Sequence, residues 1–437
     1  MSARDTALNV LITCRREDGW SNGILKRFAA KDGLDRRDAA LASRLCYGVL
    51  QNRLLLDFYL DQLLTEKKKK LHPVVRDILH LGLYQIYFAD RIPHSAVVNE
   101  SVSLAERYCR GNSGAPGLVN AVLRRASRTK GTLTPPRSYV DRYSHPQKLV
   151  DLLKQDVGKE KLEKLLIADN EIAPMTVQVN TLRTTAEELT RELEDCGVTV
   201  TRHGWMPDCL ILTGTGDLER LTAFREGKFY VQDCAAKLSV LCAGLRPGSR
   251  VLDCCAAPGG KSFAAAIAMG NTGSVRSCDI HEHKLPLLEK GAERLGLSVI
   301  SVQKRDAAEY FPQWESTMDT VLADVPCSGY GIIRKKPDIR YKDPDTVADL
   351  PMIQKQILTV QARYVKPGGI LLYSTCTLLR RENEDVIEAF LRENPGFAPE
   401  ALPLPPVFGE NTAGYITLIP GEYDTDGFFI CRLRRTV

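Results

Sequence analysis

Long apolar runs are missing from this 437-residue chain, and nothing in it approaches the roughly 18 consecutive apolar residues that a membrane-spanning helix needs. The opening residues, MSARDTALNVLITCRREDGW, scatter charges through a short apolar patch and lack the order of a signal peptide. No membrane partner is expected, and the cytoplasm is the expected compartment. Metal-ligand spacing is missing too. The 7 His never fall into a pattern with Cys, and the close pair Cys254 and Cys255 is adjacent, so it cannot chelate as a C-x-x-C does. No metal is expected. Gly (32) and Pro (23) are too scarce for a collagen-like or low-complexity chain. The 13 Cys, without a secretory signal, point to reduced thiols, most of them small buried hydrophobes, rather than to a disulfide framework.

What is present starts with size: at roughly 100 to 200 residues per domain the chain should form two to four domains. Its net charge of +5 is unevenly spread. Residues 1–130 hold 22 basic against 13 acidic side chains, or +9, and the remainder holds 37 against 41, or −4. A basic block on a near-neutral body suggests a polyanionic partner such as nucleic acid. That block reads as all-α. Apolar residues recur at three and four over Ala39 to Leu63, Val74 to Phe88, His94 to Tyr108 and Leu118 to Ser127. Lys67 to Lys70 reads first as a solvated helix end, with phosphate contact as the alternative.

Three prolines in residues 131–146 break the periodicity and mark a boundary. Residues 141–226 read as a small α+β subdomain: a strand at Val177 to Leu182, a capped amphipathic helix at Thr185 to Cys196, and a strand at Val198 to Arg202. Residues 227–437 then alternate short β-branched strands (SRVLDCC, GSVRSCDI, SVISVQKRD, MDTVLADVPC, GGILLYSTC, FFICRLRR) with helices such as Ser262 to Met269 and Leu285 to Leu295. This is the pattern of a doubly wound, Rossmann-like α/β sheet, whose ligands bind beyond the carboxyl ends of the strands.

The informative residues fall at those ends. The first strand runs into Asp253 to Lys261, where Gly259 and Gly260 allow a tight turn and close approach of backbone amides to a polar group. The second strand ends in Asp279, suited to ribose hydroxyls, and the third in Asp306, suited to an adenine amino group. The loop is neither G-x-G-x-x-G nor G-x-x-x-x-G-K-[ST], which disfavours dinucleotides and triphosphates. S-adenosyl-L-methionine, with a ribose and an adenine but no phosphate, fits better. The fourth strand ends in Asp324-Val325-Pro326-Cys327, and the next long one in Ser374-Thr375-Cys376-Thr377. Two thiols at adjacent strand ends beside a methyl-donor site suggest covalent chemistry: carbon 5 of a pyrimidine becomes nucleophilic enough only after a thiolate adds to carbon 6. The residues alone leave open which thiol attacks.

DCCAAPGGKS, DVPCSGYG, IIRKKPDIRY, YSTCTL and the late DGFF resemble the signature motifs of the Sun family of RNA 5-methylcytosine methyltransferases. SRLCYGVLQNRLLLDFYL and PHSAVVNESVSLA are similar to the NusB-type RNA-binding domain, a combination found in the RsmB/Fmu type, which methylates small-subunit (16S) ribosomal RNA. The resemblance implies that Cys376 adds to carbon 6, that Cys327 assists breakdown of the adduct, and that Asp324 hydrogen-bonds the cytosine ring nitrogen and amino group. It places Lys261 near both ligands and lines the donor groove with Cys255, Ala256, Ala257, Pro258, Gly259, Gly260, Lys261, Asp279, Asp306 and Asp324. Thr377, where the family often has Ser, and Tyr330, in a stretch of usually small residues, are departures that bear on substrate fit. Arg334, Lys335 and Lys336 read as a loop near the same edge, either solvated or touching RNA phosphates. A monomer is expected.

Two rival readings remain. An amino-group methyltransferase would usually carry two prolines and an aromatic at the fourth strand end, and would leave Cys376 idle. An RNA-binding assembly factor would account for the +9 block but not for three acids and two thiols at strand ends.

Overall fold

The structure, a computed structural model, describes residues 1–17, 19–64 and 71–437, so Lys67 to Lys70 lie outside the described residues. The chain forms two compact units. One comprises Met1–Lys154, Asp169–Glu171 and Ile333–Lys342; the other comprises Gln155–Ala168, Ile172–Ile332 and Asp343–Val437.

The first unit is helical: Ala3–Glu17, Ser21–Lys31, Arg36–Leu63, Pro73–Phe88, His94–Tyr108 and Ala115–Arg128 are followed by the short Tyr139–Tyr143. Their apolar faces bury Leu8, Leu45, Leu60, Ile78, Val97 and Leu123 in one core. The expected helix from Ala39 starts three residues earlier, because Asp35 caps it by accepting from the Asp38 N–H at 2.8 Å. It kinks at Asn52, whose side-chain amide bonds the Gly48 carbonyl at 2.9 Å.

Ile333–Lys342 completes this unit with a 3₁₀ turn at Pro337–Tyr341. Arg340 is fully buried there. Its guanidinium donates to the Gln51 carbonyl (2.8 Å), the Asn170 side-chain oxygen (2.9 Å) and the Asp169 carbonyl (3.1 Å). Ser21 donates to Asp338 at 2.5 Å, and Tyr341 donates to the Leu50 carbonyl at 2.7 Å. The loop expected at Arg334 to Lys336 leads into this turn; Arg334 and Lys335 are half-buried and partnered, and only Lys336 of the three is exposed.

The second unit opens with a small antiparallel sheet of β1 (Met175–Val179), β2 (Thr199–Arg202), β3 (Cys209–Thr213) and β4 (Phe229–Val231), in the order β2-β3-β1-β4. The helix Ala186–Asp195 lies between β1 and β2 and begins with a capping box, Thr185 and Glu188 bonding each other's backbone N–H. β4 pairs with β1 through Val177 and Val231, so the small sheet takes in a strand that the sequence reading had assigned to the α/β region.

A large sheet carries the rest: β5 (Arg250–Asp253), β6 (Ser274–Asp279), β7 (Ile300–Lys304), β8 (Met318–Asp324), β9 (Val365–Thr375), β10 (Phe397–Pro399), β11 (Tyr415–Leu418) and β12 (Phe428–Arg435). Its order is β10-β12-β9-β8-β5-β6-β7, with β11 also on β12. β5 to β9 run parallel, while β12 lies antiparallel to β9, so the Rossmann-like sheet is mixed. No helix among the described residues is long and apolar enough to cross a membrane.

Candidate active site

Parallel neighbours leave a sheet at the same edge, and β8 and β9 are parallel neighbours in register, Asp324 opposite Ser374. That register explains the site. Cys327 lies three residues beyond β8 and Cys376 one residue beyond β9. Their sulfurs come to 3.2 Å although the residues are 49 apart in the chain. Both thiols are partly exposed. The contact with Cys376, helped by burial and by the charges of Glu382 and Asp324, holds the Cys327 thiol well above its ordinary range.

Asp324 is gripped on both oxygens. Lys261 donates to Oδ2 at 2.6 Å and Ser374 to Oδ1 at 2.8 Å. The Lys261 ammonium also stands 5.0 Å from the centre of the Phe428 ring, in the DGFF segment. The glycine of that segment has a steric reason: a Cβ on Gly427 would lie 2.6 Å from the Cα of the facing Gly331. The two backbones meet through Gly427 N–H to Gly331 O (2.7 Å) and Gly331 N–H to Cys376 O (2.9 Å). Tyr330, beside this contact, is buried.

The turn after β5 leads into the helix Gly260–Ala268. Gly259 has φ of 115°, a left-handed conformation, and a Cβ there would strike the Phe263 ring at 2.4 Å. Beside this turn opens a cavity of about 780 Å³ lined by Cys255, Ala256, Ala257, Pro258, Gly260, Lys261 and Asp324. Tyr230, Gln232, Phe263 and Leu287 contribute further walls.

Asp279 and Asp306 each hold nearby backbone N–H groups. Asp279 accepts from the Ala257 N–H (3.1 Å) and the His281 N–H (2.9 Å), Asp306 accepts from the Ala308 N–H (2.8 Å), and neither is among the cavity's lining. Asp279 thus braces the loop. Asp253 is fully buried, bonded to Ser262 (2.7 Å), and burial pushes its carboxyl up to about 7.

Sequence reasoning missed several groups at the site. Ser374 was legible in principle, since it sits two residues before Cys376 and opposite Asp324. Gln354, Glu382 and Asn383 carried no signal, because a helix and a 3₁₀ turn bring them to the loops from outside the strand-end pattern.

Comparison with known proteins agrees with this layout. The profile of the 16S rRNA methyltransferase RsmB/F family matches residues 240–434, that of the NusB family residues 1–128, and that of the RsmF/B-like methyltransferase ferredoxin-like domain residues 145–219. The chain is 36% identical over 446 residues to the "Probable ribosomal RNA small subunit methyltransferase B" of Bacillus subtilis, covering 99% of each chain. The chain belongs to the 16S rRNA methyltransferase RsmB/F family. The protein of the same name from Synechocystis is 34% identical over 447 residues, covering 100% of each chain. The solved structure of PH0851 superposes with a TM-score of 0.77 at 26% identity, covering 94% of each chain.

Like its RsmB/F relatives, the chain is a methyltransferase dependent on S-adenosylmethionine, and the cavity suits that cofactor. Its volume lies within the roughly 300–1,000 Å³ typical of ligand sites. Its lining joins small residues, which leave the backbone accessible, to the aromatic Phe263 and the polar Lys261 and Asp324.

Proposed function

We propose that this RsmB/F enzyme methylates carbon 5 of a cytosine in small-subunit ribosomal RNA through a covalent adduct on Cys376. The observation that carries the reading is the 3.2 Å approach of Cys327 and Cys376 on two loops at the edge that also holds Asp324 and Lys261. S-adenosylmethionine supplies an electrophilic methyl group to that edge. The Cys376 sulfur adds to carbon 6 of the base, which breaks the 5,6 double bond and leaves carbon 5 nucleophilic. Cys327, 3.2 Å away, is the thiol that does not attack. Asp324, fixed from both sides by Lys261 and Ser374, presents a preset carboxylate to the ring nitrogen and amino group of the base. Such preorganised groups stabilise charge as it develops in the ring. After methylation Cys327, having given its own proton to solvent, takes the carbon-5 proton; the freed electron pair restores the double bond and expels Cys376 as a thiolate. An amino-group transfer would use neither thiol.

The NusB-like helical unit, whose sequence carries the +9 charge, supplies RNA affinity. A target cytosine in a helix must be unstacked to reach the thiols, at a cost of about a few kcal/mol. The test is to map 5-methylcytosine across ribosomal RNA from cells with and without the protein. One small-subunit site should vanish without it and return with the wild-type chain but not with Cys376→Ala. Loss of no site, or loss of a methylated amino group instead, overturns the reading.

A further inference from the structure

The two residues Glu382 and Asn383 contact both thiol-bearing loops, one each. Glu382, fully buried, accepts from the Ser328 N–H at 2.9 Å through Oε2. The same oxygen accepts from the Gln354 amide at 3.0 Å, and that amide also donates to the Pro326 carbonyl at 2.9 Å. The residues on either side of Cys327 are therefore tied to one carboxylate, directly or through Gln354. Asn383, also fully buried, grips the other loop: its side-chain oxygen accepts from Thr375 Oγ1 at 2.6 Å, and its amide donates to the Thr377 carbonyl at 3.0 Å. These are the residues on either side of Cys376. A direct link, Ser328 Oγ to Thr377 Oγ1 at 2.8 Å, closes the circuit.

Asn383 also gives up its usual local task. It stands at the N-cap of the helix Glu384–Glu393, with φ −115° and ψ −97°, where an Asn side chain normally bonds the first turn. No such cap bond forms. Both ends of its amide face the Cys376 loop instead. The Tyr373 hydroxyl, bonded to the Glu382 carbonyl, fixes the backbone between the two.

We infer that the Glu382–Asn383 dipeptide is a positioning element that sets the spacing of the two reacting thiols, Asn383 serving the attack by Cys376 and Glu382, with Gln354, the release by Cys327. The inference rests on the covalent mechanism proposed above, and it divides that mechanism between two adjacent side chains that never touch the substrate. Displacing a reacting group by about 1 Å can cost about 100-fold in rate. Loosening either prong should therefore slow one step and not the other.

The experiment uses the full chain, S-adenosylmethionine and a short RNA bearing the target cytosine. It measures adduct on a denaturing gel, methyl transfer in a single turnover, and the rate at which diamide, taking up two electrons and two protons, joins Cys327 to Cys376. Asn383→Ala should slow adduct formation by about 10- to 100-fold. Glu382→Ala should form adduct within about threefold of the wild-type rate but accumulate it several-fold, because release is slowed. Glu382→Gln keeps a carbonyl acceptor for the Ser328 N–H and should bring the adduct level back to within about threefold of wild type. Both alanine variants should slow the disulfide, which reads the spacing whether or not the covalent mechanism holds. The inference is overturned if both alanine variants lose activity only in proportion to their fall in melting temperature, with the adduct-to-product ratio and disulfide rate of wild type. A wild-type enzyme that forms no adduct through Cys376 overturns the covalent mechanism instead, and the disulfide rates still decide whether the dipeptide sets the spacing.

Discussion

The helical unit and the strand-end edge of the large sheet are built on opposite plans. In the first, leucines and valines at helical spacing close one apolar core, with a polar knot around Arg340 at its side. At the strand ends, polar groups are packed densely: Asp324, Ser374, Glu382, Gln354, Asn383 and the two thiols are held by mutual hydrogen bonds. An apolar core tolerates rearrangement and specifies shape. A buried polar network is costly when partly satisfied, and it fixes atoms within tenths of an ångström. The contrast shows which unit is built for packing and which for chemistry.

That contrast can be broken by substitution. Cys376→Ala should reduce methyl transfer by about 1,000-fold or more, yet change stability by less than about 1 kcal/mol, since the thiol is partly exposed. Activity assays and denaturant melts of the same preparation separate the two effects. Arg340→Ala works the other way. It strips five acceptors of their donor in the helical unit and should cost about 3–5 kcal/mol, visible as an early melting phase.

Asp253 links stability to pH. Its folded carboxyl titrates near 7 against 3.8 for an ordinary one, so between these values the folded state binds more protons than the unfolded. Stability from this group therefore falls as pH rises from about 4 to 7, by up to about 4 kcal/mol. Subtracting the pH–stability curve of Asp253→Asn from that of wild type should expose this negative slope, and a flat difference would remove the buried carboxyl from the account. The smallest effect belongs to the small sheet's helix: Thr185→Ala opens its capping box and should cost about 1 kcal/mol in a chemical melt, without touching catalysis.

How much could be read from the chain follows the same division. The helices of the first unit were legible because apolar periodicity is local, and the capped helix after Thr185 because its signal lies within four residues. The strands of the large sheet were legible as β-branched runs, and the pairing of Cys327 with Cys376 followed from strand ends sharing an edge. The antiparallel β12 and the small sheet's β3 and β4 were harder, since partner choice in a sheet is settled by contacts distant in sequence. The bond of the Asp279 carboxylate to the Ala257 backbone depends on two strand ends meeting, which no local pattern predicts. Arg340 carried no signal of its own in the sequence. Its burial depends on carbonyls from Gln51 and Asp169, which no local pattern predicts.

The central claim is that two thiols from neighbouring strand ends divide one reaction, Cys376 attacking and Cys327 releasing. Incubating Cys327→Ala with S-adenosylmethionine and target RNA, then running a denaturing gel, tests it most directly. The account predicts a retarded protein–RNA band that disappears when Cys376→Ala is added to the same chain. A band that survives in the double variant, or that forms in Cys376→Ala but not in Cys327→Ala, contradicts it.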